Sequence, residues 1–135
     1  MPAIPLYLAT LLIFLVLDST MLSFVMQPLF QREIGDLLAP QVRLLPAALF
    51  FLGYVAGLTW LVTLPALRDG GEVMRRAAVL GAMAFGTFEV SNYATLQDWT
   101  LTLVLLDTGW GAVVTALAAW GGLQVARALA QEKSG

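Results

Sequence analysis

The chain has 135 residues, of which 59% are hydrophobic and 12% charged, and its mean hydropathy is +0.82. Soluble domains carry about 25% charged residues, so this composition excludes an ordinary soluble globule and indicates an integral membrane protein. A net charge of −2 excludes a nucleic-acid footprint. The lack of cysteine excludes disulfide and thiolate chemistry, and the lack of histidine removes the commonest neutral-pH acid–base group and metal ligand.

Taken in chain order, the sequence predicts an all-α protein of four membrane spans in a single domain, residues 1–135. The first span covers about 5–26. Its start, MPAIPLYLAT, lacks the basic segment of a secretory signal, so it reads as a retained helix. Next comes QPLFQREIGDLLAP. There Leu29, Phe30, Ile34, Leu37 and Leu38 recur at helical spacing between Arg32, Glu33 and Asp36, which predicts a short interfacial helix between spans one and two. Span two covers about 45–66, with Pro46 in its first turn and Pro65 and Gly70-Gly71 breaking the chain after it. Span three covers about 75–96 and span four about 101–123, with Asp98 as the expected cap of the last helix. Each approaches the ~20 residues that cross a hydrocarbon core.

Four spans place both termini on one side. That side carries Arg68, Arg75, Arg76, Arg127 and Lys133, against Arg32 and Arg43 on the other. The positive-inside rule then predicts a bacterial inner-membrane protein with both termini in the cytoplasm.

Three carboxylates interrupt the apolar runs: Asp18, Glu89 and Asp107. Each costs roughly 2.5–3.5 kcal/mol near a bilayer centre, even on lenient scales. Counting residues from each span's midpoint at ~1.5 Å per residue brings all three to one layer, roughly 3–8 Å outside the bilayer centre. Faces agree with depth. Glu89 and Asn92 share a stripe with Ala78, Ala82, Phe85 and Gly86; Asp107 shares one with Gly111, Ala118, Gly121 and Gly122. Small residues at that spacing let helices approach closely. The expected packing positions are therefore Gly53, Gly57, Ala82, Gly86 and Gly111. Ser19, Thr20, Ser91, Asn92, Thr108 and Tyr54 are the polar neighbours expected to satisfy a buried cluster of Asp18, Glu89, Asn92 and Asp107. The tryptophans Trp60, Trp99, Trp110 and Trp120 are expected to contact lipid or a partner.

The motifs Leu17-Asp18, Phe50-x-x-x-Tyr54-x-x-Gly57, Glu89-x-x-Asn92-x-Ala94-Thr95-Leu96-x-x-Trp99 and Asp107-x-x-Trp110-Gly111 span nearly the whole chain. Together they resemble a family of small uncharacterised bacterial four-helix integral membrane proteins, a domain of unknown function. Two positions depart from its pattern: Met21 stands where the family usually carries Trp, and Glu89 where it usually carries Asp. The resemblance implies a fold and a topology and brings no activity.

Three functions fit these residues. The first is a non-catalytic accessory subunit of a larger membrane assembly or a homodimer, its helices joined by the carboxylate cluster. The second is a small proton- or cation-coupled transporter or solute-binding protein that uses Asp18, Glu89 and Asp107. A lipid enzyme ranks last, because no nucleophile–base pair and no phosphate loop is present. No catalytic residue, metal site or cofactor is identified. Lipid is an expected partner, and a pigment could be contacted only without histidine ligation.

Overall fold

The computed structural model describes residues 3–37, 44–69 and 72–134; Leu38, Arg43 and the Gly70-Gly71 break lie outside them. Among the described residues there is no strand. Four continuous helical rods follow one another, and three of them, at Ala3–Ile34, Leu45–Leu67 and Leu101–Glu132, are long and apolar enough to cross a membrane. The remaining rod, α5 (Val73–Thr95), falls short of that apolarity, since Arg75, Arg76 and Glu89 lie within its 23 residues. All four expected spans form helices, and among the described residues three of them meet that measure of length and apolarity.

The first rod joins α1 (Ala3–Met21) to α2 (Gln27–Ile34) through a wider π turn, Leu22–Met26. A separate interfacial helix is thus not formed; α2 continues directly from α1. Pro28 explains the wide turn. A proline lacks the N–H that an α-helical carbonyl four residues earlier needs, and its ring crowds that carbonyl. The turn before it relaxes to a longer-range bond, with the Gln27 N–H donating to the Leu22 carbonyl. The second rod repeats the device: α3 (Leu44–Leu58), a π turn Thr59–Thr63, then α4 (Leu64–Asp69), with Pro65 two residues past the turn. Pro65 therefore does not end the second helix as expected. The last helix, α6 (Leu101–Ser134), is capped by Thr100, whose Oγ1 accepts from the Leu103 N–H at 3.3 Å. Asp98, the expected cap, is exposed in the turn.

Helices α5 and α6 form a tight antiparallel hairpin. Gly81 faces Thr115 and Phe85 faces Gly111, a register that sets Glu89 opposite Asp107 four residues further on. A methyl at Gly81 would overlap the Gly111 carbonyl, and one at Gly111 would overlap the Phe85 ring. Helix α1 packs on the other side of α6, with Thr10 against Gly122 and Ile13 against Gly121. Of the predicted packing positions, Gly111 is a tight crossing, Gly86 makes an ordinary contact with Thr108 at 3.4 Å, and Ala82 is half-buried. Gly53 and Gly57 are the correction. Nothing lies within 4 Å of a Cβ at either position, so that GxxxG packs no helix among the described residues. The second rod is held instead by side chains, with Tyr54 Oη and Thr115 Oγ1 2.8 Å apart and the Phe14 ring in tilted contact at 5.6 Å with both Phe51 and Tyr54.

The core runs in three layers along the rods. Leu6, Leu58, Ala66, Val73 and Leu123 fill one end; Phe14, Val55, Val114 and Ala118 the middle; Met26, Leu29, Ile34 and Leu103 the other end. Outward faces are strongly apolar: Phe24 is 78% exposed and Leu45 70%, while Thr10, Thr63, Glu89 and Thr115 are fully buried. This inverted arrangement suits a surrounding of lipid tails.

The crossing yields a stability prediction. Gly81→Val should lower the melting temperature in detergent, because the backbone it meets cannot move aside; overpacking of this kind costs about 1–3 kcal/mol. Gly57→Ala should change stability by no more than about 0.5 kcal/mol. Equal losses at both positions would contradict the register.

Candidate functional site

Asp18, Glu89 and Asp107 lie between the middle and far layers of the core, each contributed by a different rod. Glu89 and Asp107 are each six residues from the 96–100 turn. The hairpin register therefore carries both to one level, ~9 Å along the helices from that turn. There the register sets Asp107 opposite Glu89 across the hairpin. Asp18 approaches from α1 and lines the same cavity as Asp107.

Two indoles hold the cluster. Trp110 Nε1 donates to Asp18 Oδ1 at 3.0 Å, joining α6 to α1, and Trp99 Nε1 donates to Glu89 Oε1 at 2.9 Å, folding the turn back onto α5. Trp99 and Trp110 thus face the acids as hydrogen-bond donors, a role the sequence reading had not given them. Trp60 and Trp120, at 71% and 48% exposure, do point outward. The small polar residues expected as donors are engaged elsewhere or exposed. Thr20 bonds the Val16 carbonyl, Tyr54 is committed to Thr115, and Ser19 and Ser91 lie on the surface. Asn92 is half-buried and supplies its backbone carbonyl to the Leu96 N–H; its side chain makes no hydrogen bond to the three acids among the described residues. It leaves the cluster.

Two buried polar atoms have no hydrogen-bond partner among the described residues: Glu89 Oε2 and Thr108 Oγ1, both beside Asp107. Among the described residues no salt bridge joins a cation to the acids either. The ion pair among the described residues joins Arg75 to Glu72 at 3.1 Å on the surface, at the far end of α5, and Arg32 is exposed.

Beside the acids lies a cavity of about 570 Å³, walled by all four rods. Asp18 and Asp107 supply its charge; Phe50, Phe85, Phe88 and Trp110 are among its aromatic walls. Its size falls within the roughly 300–1,000 Å³ of small-molecule sites. Pro46 and Ala47 close it on the second rod, and Met26 and Phe30 continue it along the first. Phe30 and Phe88 both pack on Trp99, at 6.1 and 5.8 Å, so the indole that satisfies Glu89 also braces two cavity walls. Thr100 Oγ1 donates to Glu33 Oε1 at 3.4 Å and ties α2 to the same turn. Among the described residues, no three carboxylates are close enough together to hold a metal ion.

The sequence profile of a family described as predicted membrane protein (DUF2177) matches residues 3–124. The chain belongs to that family. The matched region takes in all three carboxylates, both indole donors and every cavity-lining residue. No curated protein and no solved structure matches the chain.

The donors set a second prediction. Trp99→Phe removes the hydrogen bond to a fully buried carboxyl, and a bond to a charged group contributes about 1.5–3 kcal/mol. Trp110→Phe removes the same kind of bond from half-buried Asp18. Thermal unfolding in detergent should show the larger loss for Trp99→Phe, and the opposite order would contradict the burial of Glu89.

Proposed function

We propose that this protein is a non-catalytic membrane protein that binds a lipophilic organic cation in the carboxylate-edged cavity. The observation that carries the reading is the pairing of two carboxylates with aromatic walls in one otherwise apolar cavity. Aromatic faces attract cations, and more strongly where water is excluded. Asp18 and Asp107 would take the charge, while the rings around Phe50, Phe85 and Phe88 would take the hydrocarbon. The acids' spacing disfavours a bare metal ion, and a neutral lipid would gain nothing from them.

Four spans in a bacterial inner membrane, with both termini cytoplasmic, remain the topology that best fits the sequence. At 23 residues, α5 is ~35 Å long, enough to cross a bilayer. Its polar residues include Glu89, which turns inward. The concentration of arginine near the 69–75 connection and at the C-terminal end supports the orientation.

A second reading, an accessory subunit or homodimer, draws on one specific feature. Gly53, Gly57 and Trp60 fall on one helical stripe of the second rod, with open space over both glycines and the indole 71% exposed. A companion helix could pack there.

Binding of tetraphenylphosphonium to the protein in zwitterionic nanodiscs tests the first reading through Trp110 fluorescence. We expect saturable binding that Asp18→Asn and Asp107→Asn each weaken at least tenfold, with no binding of a neutral tetraphenyl analogue. Equal binding of the neutral analogue would overturn it. Stoichiometric recovery of a companion protein from mild detergent, with no cation bound, would favour the second.

A further inference from the structure

The rods close on one another in an order that leaves a seam at the cavity. Helix α5 packs on α6, α6 on α1, and α1 on α3, while the π turn Thr59–Thr63 of the second rod reaches α1, α5 and α6 away from the acids. The remaining neighbours, α3 and α5, meet through the Tyr54 and Phe85 rings, edge to face at 6.3 Å. One turn nearer the acids the two helices carry Phe50 and Phe88. Both rings line the cavity, and they are 54% and 53% exposed. Each leans on its own neighbours, Phe50 on Phe51 and Tyr54, and Phe88 on Trp99. The other ways out are narrower. Phe14 bridges α1 to Phe51 and Tyr54, Leu22 is 40% exposed, Met26 is buried, and Phe30 is braced by Trp99. Asp18 and Asp107 stand on α1 and α6, the two rods across the chamber from the α3–α5 seam.

We propose that the slot between Phe50 and Phe88 admits a single-chain cationic amphiphile sideways from the lipid, its head held by Asp18 and Asp107 and its chain passing out between the two rings. This rests on the cation-binding reading above and names the class of ligand. Rings half-exposed on membrane helices face lipid tails, so the slot opens to the hydrocarbon phase. Charge sorts the candidates. A phosphate-bearing lipid would bring its anion against two carboxylates, whereas an ammonium head is attracted by the acids and by the aromatic faces around them. The chain keeps an apolar surrounding throughout, first the cavity wall and then the bilayer, so little hydrocarbon need meet water during entry.

The sequence contains no cysteine, so single substitutions report the slot cleanly. Phe88→Cys places a thiol on the slot. Met83→Cys, on the same helix at a position 64% exposed and outside the cavity lining, is the control. In zwitterionic nanodiscs both thiols should react with N-cyclohexylmaleimide dissolved in the lipid. Saturating dodecyltrimethylammonium should slow the reaction of Phe88→Cys at least tenfold and leave that of Met83→Cys unchanged. Slowing at both positions or at neither, with tetraphenylphosphonium still bound by the wild type, overturns the slot and leaves cation binding standing. If neither cation binds the wild type, both readings fall. The wild type also gives an independent measurement should a variant not fold. Dodecyltrimethylammonium carrying a mid-chain diazirine, photolysed in the nanodisc, should label residues of α3 and α5, and an excess of the unlabelled amphiphile should suppress that labelling. Suppressible label confined to the first rod would place the chain along Leu22 and Met26 and contradict the proposal.

Discussion

A carboxylate in an apolar helix must be satisfied from within the protein, because lipid tails offer no donor and no counter-charge. The fold meets this constraint with its most rigid part. Gly81 and Gly111 let α5 and α6 cross at backbone contact, and that crossing fixes the register in which Glu89 meets Asp107. Indoles supply the donors. Each projects a single N–H from a large apolar ring, so Trp99 and Trp110 can reach an acid without adding further buried polar atoms. Replace either close-packed glycine with a larger residue and the acids lose their common level.

The cavity follows from the same geometry. The hairpin and α1 pack closely, and the second rod joins them through Leu58, Val62 and Ala66 at one end but through Phe51 and Tyr54 toward the cavity. Rings are too bulky to let that rod settle fully against the hairpin, and the remaining space opens where Phe50 and Phe51 face Phe85 and Phe88. Two of the three acids border this space and the third lies directly behind it. A site that receives a cation from the lipid phase needs both parts: an apolar chamber and a charge within reach of it. The inverted distribution of polarity, with threonines and Glu89 inside and leucines and phenylalanines outside, gives the chamber its low-dielectric surroundings.

What could be read from the sequence was depth and face. Helical rise alone brings Asp18, Glu89 and Asp107 to one level, and the small-residue stripe through Gly111 identifies a close crossing. Direction at the level of single side chains could not be read. Trp99 follows Glu89 by ten residues across a turn, and only the path of that turn aims its indole back; Trp110 and Asp18 are 92 residues apart. Serines, threonines and Asn92 looked like the natural donors because they are small and polar, but helical threonines such as Thr20 satisfy themselves on the carbonyl four residues earlier. Pro65 misled for a related reason. It read as a break, whereas a π turn before it lets the helix continue, as another does before Pro28. Gly53 and Gly57 fit a packing motif that carries no information about which partner, if any, covers it.

The claim at the centre of this account is that Trp110 and Trp99 bind Asp18 and Glu89 beside the cavity that Asp18 and Asp107 line. Side-chain indole N–H resonances of Trp99 and Trp110, in a uniformly ¹⁵N-labelled sample, report those bonds one at a time. Asp18→Asn should move the Trp110 resonance strongly and Trp99 little, Glu89→Gln should do the reverse, and Asp107→Asn should move both. Indole resonances that ignore all three substitutions, or that shift together with any of them, would contradict it.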